Sequence, residues 1–388
     1  MSDPTAAIAG LGITEQGKVY GPTARQFAAE AVRRAAADAG LQMSDIDGLI
    51  VSGGIKARVG IELQNTLGLV DLKLLTAMQG FGSTAAQMVQ YASMAVQSGM
   101  ASTVAIVWAD APLKEKSRSS AAYSGARSLP RGFDGITASN GIMSPTTMYA
   151  LAARRHMKTY GTTSDQLGHI AVAQRAWAQF NPIAQFCGTP LTLQEYHDSR
   201  YIAEPFHLYD CCLVSNGGVA VIVTSLERAR ALRQPPVRVL GWAQAHPGRA
   251  GIRNDDFGLV SGAAQSGPAA LKMARTTLDE IGVAQIYDCY TFTALLTLED
   301  YGFFPKGEAG PAMAEPGMIG PGGRVKFNTG GGELSSFYMW GMTPLHEAVV
   351  QARGQGGGRQ VDDHDRVLVS GNGGILDYHS TLVLGTDN

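Results

Sequence analysis

The chain has 388 residues, 45% of them hydrophobic and 48 of them glycine, enough to bury a large core shared between two packed halves. A formal net charge of -2 and the lack of a dense lysine or arginine tract exclude a reader of the nucleic-acid backbone. Its apolar runs fall short of the roughly 20 residues that cross a bilayer, and the opening MSDPTAAIAG lacks the basic and apolar segments of a signal peptide. Cys187, Cys211, Cys212 and Cys289 contain no CxxC pair, and the adjacent Cys211 and Cys212 are poorly placed for a disulfide. The expectation is a soluble, cytoplasmic protein with reduced thiols and no zinc site.

Ala6 to Ile13 reads as an apolar strand, and Phe27, Ala31, Ala35 and Ala39 recur on one face of a helix from Thr23 to Ala39 that Gly40 ends. Leu41 to Ile46 leads to a second strand at Gly48 to Ser52. Phe81 to Gly99 then reads as a helix rich in small residues, followed by a strand from Thr103 to Trp108. A similar order returns later in the chain. Strand Val237 to Trp242 precedes helix Pro268 to Ile281, which Gly282 ends, and Val283 to Ile286 leads to a strand at Tyr287 to Phe292. Helix Leu334 to Gly354 and strand Arg366 to Ser370 follow. This alternation predicts mostly parallel strands with right-handed crossovers. Two halves, 1–235 and 236–388, would stack as an α/β fold of five layers, α/β/α/β/α.

Within the first half, about 112–205 shows little alternation and several helical stretches, and reads as an inserted cap. Its front carries Lys114, Lys116, Arg118, Arg127 and Arg131 among serines and glycines, either a contact for substrate phosphates or a solvated loop.

Four segments carry a family likeness. They are SNGGVAVIVTSLERA at Ser215 to Ala229, YDCYTFTALLTLEDYGF at Tyr287 to Phe303, NTGGGELSSFYMWGM at Asn328 to Met342 and SGNGGILDYHSTLVLG at Ser370 to Gly385. With these the chain resembles the thiolase superfamily over nearly its full length, nearest to the sterol-carrier-protein thiolase and thiolase-like aldolase branch. A thiolase nucleophile is a cysteine at a helix start. The resemblance puts Phe81 there, within GFGSTAAQ, and a phenyl ring cannot accept an acyl group. Ser83 is the substitute nucleophile to consider, although no activating base is visible. The thiolase histidine corresponds to Tyr338, the second cysteine to Ser370, and the asparagine and phenylalanine of the NEAF motif to Tyr287 and Tyr290.

The resemblance implies a lyase without a covalent acyl-enzyme. It would cleave a β-hydroxyacyl-CoA bearing a steroid-like or other bulky group by retro-aldol reaction, giving a ketone or aldehyde and a shorter acyl-CoA. A thioester already stabilises the enolate, so the site needs hydrogen-bond donors and proton-transfer groups rather than a metal or Schiff base. Tyr338 and Tyr287 are the candidate catalytic residues, with Tyr290, Ser370 and His379 as further possibilities. The glycine turns at Gly331 and Gly332 and at Gly373 and Gly374 are candidate oxyanion or substrate contacts.

Against these roles, tyrosines are also ordinary packing residues. Cys289 reads as a structural thiol, His346 as a partly exposed helix residue, and His207 and His169 have weaker claims, with no spacing that forms a metal triad. No tightly bound cofactor is expected, coenzyme A being part of the substrate. The resemblance further implies a homodimer, paired through a strand for which Thr103 to Trp108 is the candidate, and a small zinc-ribbon and OB-fold partner protein. Three other readings stay open: a thiolase or acyltransferase with an unrecognised nucleophile, a noncatalytic acyl-CoA or lipid carrier, and a scaffold subunit.

Overall fold

The computed structural model describes residues 6–54, 59–123, 132, 135–142, 144–248 and 256–387. In the first half the strands are β1 (Ala6–Ile13), β2 (Gly48–Ser52), β3 (Leu74–Met78), β4 (Thr103–Asp110) and β5 (Gly217–Ser225). In the second they are β6 (Val237–Ala245), β7 (Val283–Gln285), β8 (Arg366–Gly373) and β9 (Tyr378–Gly385). Their order in space is β3-β2-β4-β5-β1-β6-β9-β8-β7. Among the described residues the two halves meet edge to edge at Ala7 with Arg238 and Ile8 with Val237. Every residue of β2 and β4 is buried, because helices cover both faces.

Helix α1 (Ala24–Ala39) lies on the outer face of the first half, held at its start by the Thr23–Gln26 capping box. Helix α2 (Thr84–Gln97) packs on strands of both halves, as does the later Met342–Ala352 helix, forming the middle layer. Four further helices are α3 (Pro145–Tyr160), α4 (Ser164–Ala178), α5 (Ala263–Ala274) and α6 (Thr291–Tyr301), and Met342–Ala352 is α7. With α5 outside the second half, the layers are α/β/α/β/α. Duplication extends to packing detail. A Cβ on Gly12 of β1 would stand 2.1 Å from the Ala31 carbonyl oxygen of α1, and one on Gly241 of β6 would stand 2.3 Å from that of Ala270 in α5.

Several expectations are corrected. The strands are mixed rather than mostly parallel. β2 is parallel to β3 and β4, and β7 to β8, but β4–β5, β5–β1, β1–β6, β6–β9 and β8–β9 are antiparallel. Strand β9 returns from β8 by a tight turn, which forces the reversal. Helix α5 begins before Pro268, which sits inside it, and ends at Arg275 in the left-handed region at φ 53°; Leu278–Glu280 is a separate 3-10 turn.

The strand expected at 287–292 is instead a connector running into α6. Its chain leaves the sheet after Gln285, where the Ile286 amide donates to the Asn328 side chain at 2.6 Å. The helix expected from Leu334 divides into a π-helical turn at Gly332–Ser336, an extended Phe337 and then α7. Strand β4 is interior, flanked by β2 and β5, so its backbone is already paired and it offers no dimer edge. The first half's free edge is β3.

Helices α3 and α4 follow the segment in which Lys114, Lys116 and Arg118 are exposed; Arg127 and Arg131 lie outside the described residues. α3 is tied to α6 by fully buried His156, whose Nε2 meets Glu299 Oε2 at 3.0 Å while Nδ1 meets Thr162 Oγ1 at 2.9 Å. Glu299 in turn accepts the Ala309 amide and an ion pair from Lys306 at 3.4 Å. Among the described residues no helix is long and apolar enough to cross a membrane.

The glycine seats predict a matched pair of defects. Gly12→Ala and Gly241→Ala should each destabilise the fold by about 1–3 kcal/mol through overpacking against helix backbone. Chemical denaturation measures this, and unchanged midpoints would contradict the close approach.

Candidate active site

The second half builds the site by pinning two connectors to each other. Asn328 adopts φ 49° and spans the gap between them: its amide donates to the Ala284 carbonyl at 3.0 Å and its side chain accepts the Ile286 amide. Asp288 then accepts the Glu333 amide at 2.8 Å and the Leu334 amide at 3.4 Å, so its carboxylate closes the π-helical turn. From the other side, Leu213 donates to the Glu333 carbonyl at 2.9 Å, and the Tyr338 amide donates to Ser215 Oγ at 2.8 Å. These bonds bring the Tyr287 and Tyr338 hydroxyls to 3.2 Å from each other.

The first half supplies the turn that opens α2. Phe81–Ser83 is a 3-10 turn with Phe81 at φ 54°, a left-handed conformation rare for a bulky residue. A Cβ on Gly82 would lie 2.2 Å from the Tyr287 ring and from the Asn372 carbonyl oxygen. Only glycine lets this turn, Tyr287 and the end of β8 converge. The Phe81 ring lies 6.0 Å from that of Trp340 and 6.2 Å from that of Tyr378.

Burial raises the pKa values of Tyr287 and Tyr338 well above the ordinary phenol value; Tyr338 and Glu333 add to the shift of Tyr287, and Cys212 and Glu333 to that of Tyr338. Both phenols therefore hold their protons at neutral pH and act as donors. Beside them sit two buried acids. Burial pushes Asp288 up to about 7 despite the amides that favour its charge, and pushes Glu333 well above its usual range, with repulsion from Asp288 adding to it. Neither carboxyl oxygen of Glu333 has a hydrogen-bond partner among the described residues. This acid pair escaped sequence reasoning, because 45 positions separate its members in the chain and only the π-helical turn brings them together. The adjacent word GGGE was the one available signal.

The remaining candidates separate clearly. Tyr290 is packed: its ring lies 4.8 Å from Tyr149 and 4.9 Å from Phe206, and its hydroxyl meets Thr146 at 2.8 Å. Cys289 is buried, with its thiol pKa pushed well up by burial, and the Cys211 thiol is pushed up to about 12 by burial. Ser370 is fully buried with Oγ 3.4 Å from His379 Nε2, which also meets the Tyr301 hydroxyl at 3.0 Å. Burial depresses His379 to about 3, leaving a neutral ring. Ser83 Oγ donates to the Gly80 carbonyl and accepts from Gln87, so its bonds among the described residues are to groups that cannot act as a base.

The Gly331 amide is spent on the Asn328 carbonyl, and Gly332 faces Asp288 and Gln174. Gly373 packs on Gly80 and Phe81, and Gly374, at φ 63°, lies against Tyr378. His346 corrects its expectation. It is buried against Phe337 and depressed to about 3 by burial and neighbouring arginines. His207 is buried and donates to the Ser199 carbonyl, whereas His169 is a surface neighbour of Asp165. Among the described residues no cluster of three or more histidine, cysteine or acidic side chains forms a metal site.

Comparison with known proteins places this geometry. The thiolase C-terminal domain-like family model matches residues 243–386. The chain is 37% identical to a steroid side-chain-cleaving aldolase of Thermomonospora curvata over 98% of both chains. It is 35% identical to the 17-hydroxy-3-oxo-4-pregnene-20-carboxyl-CoA lyase of Mycobacterium tuberculosis, over 98% of this chain and 99% of that one. A solved Ltp2-ChsH2(DUF35) aldolase superposes with a TM-score of 0.88 at 36% identity, covering all of this chain and 99% of the other.

The raised Glu333 carboxyl makes a pH prediction. An acid whose native pKa lies above its unfolded value of 4.5 adds no penalty while both states are protonated, and lowers stability as pH rises past that value. The wild type should therefore lose more melting temperature between pH 5 and pH 8 than Glu333→Gln does. Equal losses in the two proteins would contradict a proton held on Glu333.

Proposed function

The chain belongs to the thiolase superfamily, in its steroid side-chain-cleaving aldolase branch, and from that premise we propose how its residues perform the retro-aldol cleavage of a bulky β-hydroxyacyl-CoA. The observation that carries the proposal is the contact between the Tyr287 and Tyr338 hydroxyls. In the reaction the β-hydroxyl loses its proton, the bond between Cα and Cβ breaks, and its electron pair passes to the thioester enolate. Cβ leaves as the carbonyl product, and Cα takes up a proton to give the shorter acyl-CoA.

The raised phenol pKa values decide the tyrosines' part. Neither can rest as a phenolate base, so accepting the β-hydroxyl proton must be coupled to giving one up at Cα. Two phenols in hydrogen-bond contact meet that requirement: one accepts as the other donates, and the proton between them moves across. One of the two phenolic protons lies in the bond between the tyrosines, and the other is the one that can donate to the thioester oxygen as enolate charge develops. Phe81 at the thiolase nucleophile position, and the hydrogen-bonded, unactivated Ser83, support a route without an acyl-enzyme. Coenzyme A enters as part of the substrate, no tightly bound cofactor is assigned, and the reaction is placed in the cytoplasm.

We assign the oligomer to a homodimer through the unpaired edge of β3, where strand addition would satisfy exposed backbone groups. The solved relative pairs an aldolase with ChsH2(DUF35), which supports a small zinc-ribbon and OB-fold partner for this chain as well.

Incubation with β-hydroxyacyl-CoA and β-ketoacyl-CoA thioesters, read by mass, should give free ketone or aldehyde plus shorter acyl-CoA from the hydroxy series alone. CoA-dependent cleavage of the keto series would instead support thiolase chemistry. Tyr338→Phe and Tyr287→Phe should each lower turnover by about 10² to 10⁴ with acyl-CoA binding largely retained, whereas Tyr290→Phe should mainly alter stability. Near-wild-type turnover in Tyr338→Phe would overturn its role. Sedimentation should show a dimer at micromolar concentration, and coexpression with a zinc-ribbon protein should yield a complex; a monodisperse monomer that stays alone and gives full turnover would contradict both assemblies.

A further inference from the structure

Phe81 stands at the position where a thiolase carries its nucleophile, yet it is not buried as a plug. The residue remains 38% exposed, and its backbone is held at φ 54°. Trp340 is held at φ 49°. Left-handed backbone is unfavourable for both residue types, and such strain persists only where the surroundings impose it and is concentrated at working sites.

The strain has a definite product. It brings the two rings to 6.0 Å, with Tyr378 6.2 Å from Phe81 on another side. Trp340 is itself 4% exposed and stacked on Trp108 at 4.2 Å, so the exposed phenyl has a rigid aromatic backing. The next residue, Gly82, touches the Tyr287 ring, and Trp340 follows Tyr338 by two positions, so this surface borders the phenol pair on both chain segments that build it.

We propose that Phe81, backed by Trp340 and flanked by Tyr378, is the wall against which the fused rings of the carbonyl-bearing half of the substrate lie, making Phe81 a residue that determines specificity. The inference rests on the aldol reading for the identity of that half. Its physical basis is area: a flat, fused alicyclic ketone buries far more apolar surface on aromatic faces than a short acyclic one does. Loss of the phenyl should then penalise ring-bearing substrates selectively.

The test uses the full-length protein and Phe81→Gly, which removes the ring and relaxes the left-handed backbone; Phe81→Leu, bulky but without a ring, serves if the glycine variant does not fold. Binding of trans-1-decalone, followed by tryptophan fluorescence, should weaken by about tenfold or more. The ratio of kcat/KM for a thioester releasing a fused-ring ketone to that for one releasing acetone should fall by a similar factor. Unchanged decalone affinity, no decalone binding by the wild type, or equal losses on both thioesters would overturn the wall. If the wild type binds decalone through Phe81 but cleaves neither thioester even with its zinc-ribbon partner present, the wall stands and the aldol reading fails.

Discussion

The carboxylate of Asp288 welds the connector after β7 to the π-helical turn, and the reacting geometry depends on that weld. It accepts the amides of Glu333 and Leu334, while Asn328 anchors the same connector two residues earlier, at Ile286. Without these bonds the two segments would have no reason to hold their tyrosines at a fixed separation. A π-helical turn is an unusual local structure, often found at functional sites, and here the neighbouring connector holds it through Asp288 in addition to its own backbone bonds. The tyrosine hydroxyls then meet with their backbones already fixed, Tyr338 through Ser215 and Tyr287 through ring contact with the Gly82 turn.

Electrostatics follows from that packing. Removal from water raises the phenols, Asp288 and Glu333 together, so the neighbourhood favours neutral forms and resists any single group taking a lasting negative charge. Such a setting favours coupled proton transfer over a resident base. Burial likewise raises the thiol pKa values of the nearby Cys289 and Cys212, which disfavours their thiolates. The aromatic rings at Phe81 and Trp340 extend the same low-polarity environment on the side of the first half.

Part of this was legible in the sequence through its resemblance to the thiolase superfamily. The segments at 287–303 and 328–342 identified Tyr287 and Tyr338, and the structure brings those two together. The repeated strand and helix patterns gave the two α/β halves, but not the stacking that makes five layers of them. Periodicity failed at 287–292, since YDCYTF is short, apolar and β-rich, whereas a hydrogen bond from a residue 42 positions away takes the chain out of the sheet. It failed again at His346, because α7 is buried along its whole length in the middle layer, where His346 packs against Phe337. The position of β4 inside the sheet and the meeting of Asp288 with Glu333 are products of long-range pairing, to which local pattern is blind.

If Tyr287 and Tyr338 form one proton-transfer unit, removing either hydroxyl breaks the whole of it. The most direct test is a double-mutant cycle on turnover with Tyr287→Phe, Tyr338→Phe and the combined variant, acyl-CoA binding being measured alongside. A single relay predicts that the double variant is no slower than the slower single variant. Additive losses in the double variant would show two independent groups and contradict the account.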